Sequence, residues 1–318
     1  MTTPDRPRVE GTTPPTPRHA NSTTPTTGRL RVDGATLHYE VRGSGPLVLL
    51  IPGGTGGAAS FDAVADRLAA DCTVASYDPR GLARSPLDDP DAPQRVERHA
   101  EDAYRLLDLL SPDAPARVAG CSSGAITALH LLTTHPERVQ RVVAHEPPLV
   151  EVLPDAPEHR ALLIRVQDTL QREGLMPAAA IFAAGLQAKP TPQTPTPGAS
   201  AQGGRSTPPT PSAAPVEAGG LPPEAAARVE RTMGDMPYFL GRIVPSFMGY
   251  VPDLDRLQAL SERLVLAGGA ESRGEVPYRP AAVMAERFGT ELVHFPGGHT
   301  GLSTHPGEFG ELLAELLR

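Results

Sequence analysis

One serine of the chain has the surroundings of a nucleophile. Ser122 lies at the centre of a G-x-S-x-G pattern that runs from Gly120 to Gly124. The apolar run 116–119 precedes the pattern, and a helical pattern over 123–134 follows it. A serine on so tight a turn from strand to helix is lifted clear of the backbone, and only small neighbours let the turn close. Ser122 is therefore the first candidate for attack on a carbonyl carbon.

A serine hydroxyl needs a base to remove its proton, and His299 is the best placed of the ten histidines. It follows the last predicted strand, in a glycine-rich loop where a side chain has room to reach inward. His294 lies within that strand and His305 precedes a proline at a helix start, so both fit structural roles better. We expect His299 to be the base.

The base in turn needs a carboxylate to orient it, and two glutamates are suitable. Glu271 follows the predicted strand 264–267, and Glu146 follows the earlier strand 139–144. Both precede His299, as the chain order serine, acid, histidine requires. We prefer Glu271 and keep Glu146 as the alternative acid.

A glycine-rich loop, 52–57, directly follows the predicted strand 47–51. Such a loop exposes backbone N–H groups where negative charge develops on an attacked carbonyl oxygen. We expect the N–H groups of Gly54 and Ser123 to form this oxyanion hole. A phosphate-binding loop is the rival interpretation, but G-x-x-x-x-G-K-[ST] is absent.

Composition excludes several classes of partner. The 318 residues carry a formal net charge of −8 and no run of Lys or Arg, so we expect neither nucleic acid nor an anionic membrane as a partner. The expected partner is a small molecule, while composition leaves the oligomeric state open. No metal-binding spacing is present, so we expect no metal and no cofactor. With two cysteines, no signal-peptide pattern and no stretch of about 18 apolar residues, we expect a cytoplasmic protein.

Short apolar runs alternate with helical patterns, which is typical of a mostly parallel sheet with helices on both faces. We predict eight strands, at 30–32, 37–41, 47–51, 73–77, 116–119, 139–144, 264–267 and 292–295. Residues 29–148 and 258–318 form the predicted core, with a closing helix at 307–317. Residues 149–257 break the rhythm and predict a helical cap, with helices at 160–172, 177–186 and 225–233.

Two polar, proline-rich tracts have too little apolar content to offset the entropy cost of ordering. We predict a disordered leader over residues 1–28. The second tract, at about 189–224, carries ten prolines and predicts a disordered insertion within the cap.

Together these motifs resemble the α/β-hydrolase fold superfamily, specifically its cap-bearing, esterase-like members. The run 77–85, which contains Asp-Pro-Arg-Gly, looks like the loop after the family's fourth strand. The resemblance implies Ser122 as nucleophile, His299 as base, Glu271 as acid, and Gly54 with Ser123 as oxyanion donors. It also implies a serine hydrolase that cleaves an ester-like bond through an acyl-enzyme.

The cap carries a cluster of Met and aromatic residues that includes Met236, Phe239 and Phe247. These side chains could line an apolar substrate pocket, although core packing explains the cluster equally well. Thioester, lactone or carbon–carbon cleavage would use the same catalytic residues. The alternative to an enzyme is a protein with the same fold that binds a ligand without turning it over.

Overall fold

A computed structural model describes residues 24–187 and 223–318. In these residues eight strands form one sheet, in the order β1-β2-β4-β3-β5-β6-β7-β8. The pairs β1/β2 and β2/β4 are antiparallel, and every other pair is parallel. The strands are β1 Thr26–Val32, β2 Ala35–Arg42, β3 Leu47–Ile51, β4 Thr73–Tyr77, β5 Ala116–Cys121, β6 Val139–His145, β7 Leu264–Gly269 and β8 Val293–Phe295. The predicted mostly parallel, eight-stranded sheet is confirmed.

Helices cover both faces of the sheet, and the alternation within β3 shows why. All five β3 side chains are buried, with Leu49 and Ile51 facing one layer and Val48 and Leu50 the other. The first layer contains α2 Val96–Leu110 and α3 Ser123–Thr134, and the second contains α1 Asp62–Leu68 and α11 Pro306–Leu316. Each fully buried aliphatic side chain contributes about 1.5–3 kcal/mol, so a strand apolar on both faces is stable only between two layers.

The cap is inserted between β6 and β7, at the carboxyl ends of the parallel strands. It comprises α4 Ala156–Arg172, α5 Leu175–Leu186, α6 Pro223–Tyr238, a π-helical turn Phe239–Ile243 and α7 Val244–Met248. The cap has a buried apolar cluster of its own that includes Leu163, Val166, Leu240 and Val244. The chain returns to the sheet through α8 Leu254–Ala259, and α9 Tyr278–Phe288 and α10 Gly301–Thr304 follow β7 and β8.

The predicted cap helices are present, but each extends beyond its sequence pattern. The predicted insertion at 189–224 lies outside the described residues except for positions 223 and 224, which begin α6. That helix then continues past Met233 to Tyr238, where Met236 packs on the cap cluster and Tyr238 on the core below.

The predicted leader, residues 1–28, reaches too far along the chain. Residues 1–23 lie outside the described part, but Thr26 to Gly28 belong to β1 and pair with β2 as far as Val41. Backbone pairing needs no apolar side chain, so composition misses these residues. Gly28 lies against the ring of Tyr39, where a Cβ atom would clash.

Candidate active site

Ser122 lies on a strained turn between β5 and α3. Its backbone has φ 53° and ψ −123°, a conformation that costs on the order of 1–3 kcal/mol for a residue with a side chain. The flanking glycines are required, since a Cβ atom at Gly120 would meet the Gly124 carbonyl and one at Gly124 would meet the Ile51 carbonyl. The Ser122 N–H donates to the carbonyl of His145 at 2.9 Å, which ties the turn to β6.

Glu146, the alternative acid, is the carboxylate that contacts His299. Its Oε2 lies 2.7 Å from Nδ1 of His299, and its side chain is fully buried. The other oxygen, Oε1, accepts hydrogen bonds from the Gly269 N–H at 2.7 Å and from the Ser272 hydroxyl. Three donors therefore fix the carboxylate beside the imidazole.

The preference for Glu271 is reversed by this geometry. Glu271 is exposed, and its one hydrogen bond within the described residues comes from its backbone N–H, which donates to Gly297 O at 2.9 Å. Glu146 reaches the imidazole because its backbone has φ 49° and its N–H donates to Ala267 O across the end of β7. No sequence pattern indicates that a glutamate adopts a positive φ, and none indicates that Ser272 donates a hydrogen bond to it.

The electrostatic surroundings of Glu146 favour the ionised form of its carboxylate. Burial raises the pKa of Glu146, but the hydrogen bonds from His299 and Ser272 and the neighbouring imidazoles outweigh it, so the pKa lies below its ordinary value. When His299 Nδ1 donates to this carboxylate, the lone pair is on Nε2, the nitrogen that can accept a proton.

Ser122 and His299 line the same cavity, with a volume of about 590 Å³. In the described residues no hydrogen bond joins the Ser122 hydroxyl to the imidazole. Catalytic hydrogen bonds are often long in a protein without substrate and tighten in the complex.

The expected oxyanion donors lie at the edge of this cavity, but one of them is already engaged. The Gly54 N–H donates to the Ser123 hydroxyl at 3.1 Å. Gly54 has φ 61°, and the preceding Gly53 packs so closely on Cys121 O that a Cβ atom would clash there. Ser123 is the first residue of α3, where backbone N–H groups have no acceptor within the helix.

The loop after β4 has a supporting role. Arg80 forms an ion pair with Asp102, and both side chains are nearly inaccessible to solvent. The carboxylate of Asp78 accepts the Ala58 N–H at 2.8 Å, which holds the end of the glycine-rich loop. Asp235 of the cap accepts the Ala83 N–H at 2.8 Å, so the same loop also anchors the cap.

The cavity wall above Ser122 comes from the cap. Met236, Phe239 and Phe247, the three predicted pocket residues, all line it. Other apolar lining side chains are Phe182, Leu186, Ile243, Val244 and Met248, and the polar ones include Thr55, Ser60, Thr232, Thr300 and Ser303. No Asp, Glu, Lys or Arg side chain from the described ranges lines the cavity.

Residues 24–187 and 223–318 contain no group of three or more His, Cys, Asp or Glu side chains arranged to hold a metal ion. None of the helices in these ranges is both long and apolar enough to cross a bilayer.

Known proteins resemble the chain along most of its length. The model of the α/β-hydrolase fold family matches residues 46–184. The Bacillus subtilis protein YraK, named an uncharacterized hydrolase, is 34% identical over 307 residues, which cover 91% of this chain and 95% of that relative.

Two solved structures share the fold at low sequence identity. An esterase from Thermogutta terrifontis is 19% identical with a TM-score of 0.66, and the match covers 92% of this chain and 98% of the esterase. The enol-lactonase from Burkholderia xenovorans LB400 is 16% identical with a TM-score of 0.64, and the match covers 91% of this chain and 99% of that enzyme.

Proposed function

Because the chain belongs to the α/β-hydrolase fold superfamily, we propose that it is a serine hydrolase that cleaves neutral esters or lactones through an acyl-enzyme. Ser122 is the nucleophile, His299 the base and Glu146 the acid. The observation that carries the proposal is the buried 2.7 Å contact between Glu146 and His299 beside the strained turn of Ser122. Burying a carboxylate costs desolvation free energy, and a positively charged partner offsets that cost. His299 becomes such a partner when it takes a proton in the reaction.

In the proposed reaction His299 first accepts a proton and then donates it, in each of the two halves of the reaction. His299 Nε2 takes the hydroxyl proton of Ser122 as Oγ attacks the carbonyl carbon, and Glu146 stabilises the resulting imidazolium. The backbone N–H groups of Gly54 and Ser123 stabilise the negative oxygen of the tetrahedral intermediate. His299 then protonates the leaving alkoxide oxygen as the ester C–O bond breaks. In the second half of the reaction His299 takes a proton from water as it attacks the acyl carbon, and returns that proton to Ser122 Oγ as the acyl–Oγ bond breaks. This sequence needs no metal and no cofactor.

The cavity supports a neutral, mainly apolar substrate. Its volume of about 590 Å³ suits a small molecule, and its cap wall is apolar. A charged substrate would bury its charge without an oppositely charged Asp, Glu, Lys or Arg among the described lining residues, which costs several kcal/mol. The similarity to an esterase and to an enol-lactonase supports both open and cyclic esters as substrates.

Labelling and turnover together test the proposal. A fluorophosphonate should label the wild-type protein on Ser122, as measured by intact mass and peptide mapping, because only an activated serine reacts quickly. Ser122→Ala should abolish labelling and lower kcat by roughly 10³-fold or more. The matched control is Ser111→Ala, because the Ser111 hydroxyl donates to the Ala114 carbonyl in the loop before β5, at the opposite end of that strand from Ser122.

A substrate panel separates the reaction types. Esters, thioesters and lactones of graded chain length, each paired with an analogue that carries a carboxylate, are compared by kcat/KM. We expect neutral esters or lactones to be favoured over their charged analogues by roughly 10²-fold. Folded wild-type protein that is not labelled and turns over no member of the panel would contradict catalysis and favour the ligand-binding alternative.

We also propose a cytoplasmic location, supported by the free thiols of Cys72 and Cys121. Burial, together with the nearby charge of Glu146, raises the pKa of Cys121 to about 12. The thiol next to Ser122 is therefore neutral at ordinary pH and does not compete with the serine as nucleophile.

A further inference from the structure

We propose that the Ser123 hydroxyl occupies the oxyanion hole in the free protein, where it accepts a hydrogen bond from the Gly54 N–H. When a substrate carbonyl enters, the hydroxyl turns toward Tyr77 and leaves this N–H to the substrate oxygen. Ser123 is then a positioning residue, since it acts through the Gly54 N–H. The inference rests on the proposed function and adds a step to it.

The first observation is that the key donor is occupied. The Gly54 N–H donates to Ser123 Oγ at 3.1 Å, although this N–H is the one that the proposed reaction requires for the substrate oxygen. A single N–H cannot bond two acceptors at full strength. The hydroxyl of Ser123 therefore competes with the substrate for Gly54.

The second observation is a second, smaller cavity lined by Ser123, here named the inner cavity. Its volume is about 10 Å³, and Ser123 and Gly54 line both this cavity and the substrate cavity. Ser123 therefore stands between the two spaces. A volume of this size accommodates a hydroxyl group, while a substrate is far too large for it.

The third observation is a buried hydroxyl without a partner, on a residue that lines the inner cavity. Tyr77 lines it, is 1% exposed, and its Oη has no hydrogen-bond partner in the described part of the chain. Buried hydroxyls without partners are uncommon and costly. A Ser123 hydroxyl turned inward would provide the partner that Tyr77 lacks.

The proposed movement is a rotation of the Ser123 side chain. Ser123 has staggered rotamers that place Oγ in different directions, and its backbone is held by the Thr127 hydroxyl, which donates to Ser123 O at 3.2 Å. In the proposal the Ser123 hydroxyl keeps one hydrogen bond in each position, accepting from the Gly54 N–H in the free protein and pairing with Tyr77 Oη after the turn. The incoming carbonyl oxygen then accepts the hydrogen bond from the Gly54 N–H, so this N–H keeps an acceptor after the Ser123 hydroxyl has turned away.

A reversible oxyanion mimic tests the inference. A trifluoromethyl ketone is attacked at its carbonyl carbon by Ser122 Oγ, the proton passes to His299, and the ketone oxygen becomes a hemiketal oxyanion. Its inhibition constant is measured for wild type, Ser123→Ala, Tyr77→Phe and the double variant, with Ser111→Ala as the control. Thermal unfolding of each variant shows whether it is folded at the assay temperature.

We expect Ser123→Ala to bind the ketone two- to tenfold more tightly, because Gly54 no longer has an internal acceptor. Tyr77→Phe should bind it two- to tenfold more weakly, because the turned hydroxyl loses its partner. In the Ser123→Ala background, Tyr77→Phe should have no effect. If Tyr77 has only a structural role, Tyr77→Phe will weaken ketone binding equally in the wild-type and Ser123→Ala proteins. That result overturns the inference.

Weaker or unchanged binding by Ser123→Ala also overturns it, and weaker binding would identify the hydroxyl as a direct third donor to the oxyanion. These results differ from failure of the proposed function. In that case the wild-type protein would react with neither the ketone nor a fluorophosphonate, and the inference would fall with it.

Discussion

The loops after β6 and β7 carry glutamates that look equivalent in sequence and differ completely in the folded protein. Glu146 follows β6, is fully buried and contacts His299, whereas Glu271 follows β7 and is exposed. The β7 loop nevertheless serves the site, since the Gly269 N–H and the Ser272 hydroxyl both bond Glu146. One loop supplies the charge and the other supplies the groups that hold it.

The largest effect is expected at the buried carboxylate. Glu146→Gln keeps the shape of the side chain but removes its charge, and its amide no longer fixes His299 in the tautomer that the reaction needs. We expect kcat to fall by roughly 10³–10⁴-fold, the scale seen when a triad carboxylate becomes an amide. Ester turnover measures this effect, and circular dichroism checks that the variant is folded. Activity within tenfold of wild type would remove Glu146 from the proposed triad.

A smaller effect is expected at the hydroxyl that supports Glu146. Ser272 is 1% exposed and donates to Oε1 of a carboxylate whose pKa lies below its ordinary value. A depressed folded-state pKa gives stability that is fully present above the unfolded-state pKa of Glu and is lost as pH falls through the folded-state pKa. Ser272→Ala should lower the free energy of unfolding by about 1.5–3 kcal/mol at pH 7 and by less at pH 3.

Urea unfolding at the two pH values measures this difference. Ser111→Ala is the control, because the Ser111 hydroxyl donates to the neutral Ala114 carbonyl and its contribution should not depend on the charge of Glu146. An equal loss for Ser272→Ala at pH 7 and pH 3 would mean that Ser272 does not act through the ionised carboxylate.

The contrast between the loops also shows which parts of the structure the sequence could predict. The strands 47–51 and 73–77 were predicted with their observed bounds, because apolar runs between polar turns define buried parallel strands. Ser122, His299 and Gly54 were predicted as site residues from the glycines around each of them, and all three line the cavity. The predicted pocket residues Met236, Phe239 and Phe247 line the cavity as well.

Features that depend on backbone conformation or on neighbours distant in sequence were not predicted. The positive φ of Glu146, the π-helical turn Phe239–Ile243 and the hydrogen bond from Ser272 have no local pattern. The first strand was missed at Thr26 because its pairing depends on the backbone of β2. Chain order alone could not choose between Glu146 and Glu271, since both precede His299.

The smallest effect is expected at Glu271, and it is the most direct test of the comparison. Glu271→Gln removes an exposed charge that forms no side-chain hydrogen bond or ion pair in the described residues, so kcat/KM should stay within about twofold of wild type. The backbone N–H that bonds Gly297 O at 2.9 Å is retained in this variant, so the loop that carries His299 keeps its support. A large loss of turnover in Glu271→Gln together with a small one in Glu146→Gln would mean that the loops exchange roles when substrate binds. The ester assay on these two variants therefore decides which loop supplies the catalytic carboxylate.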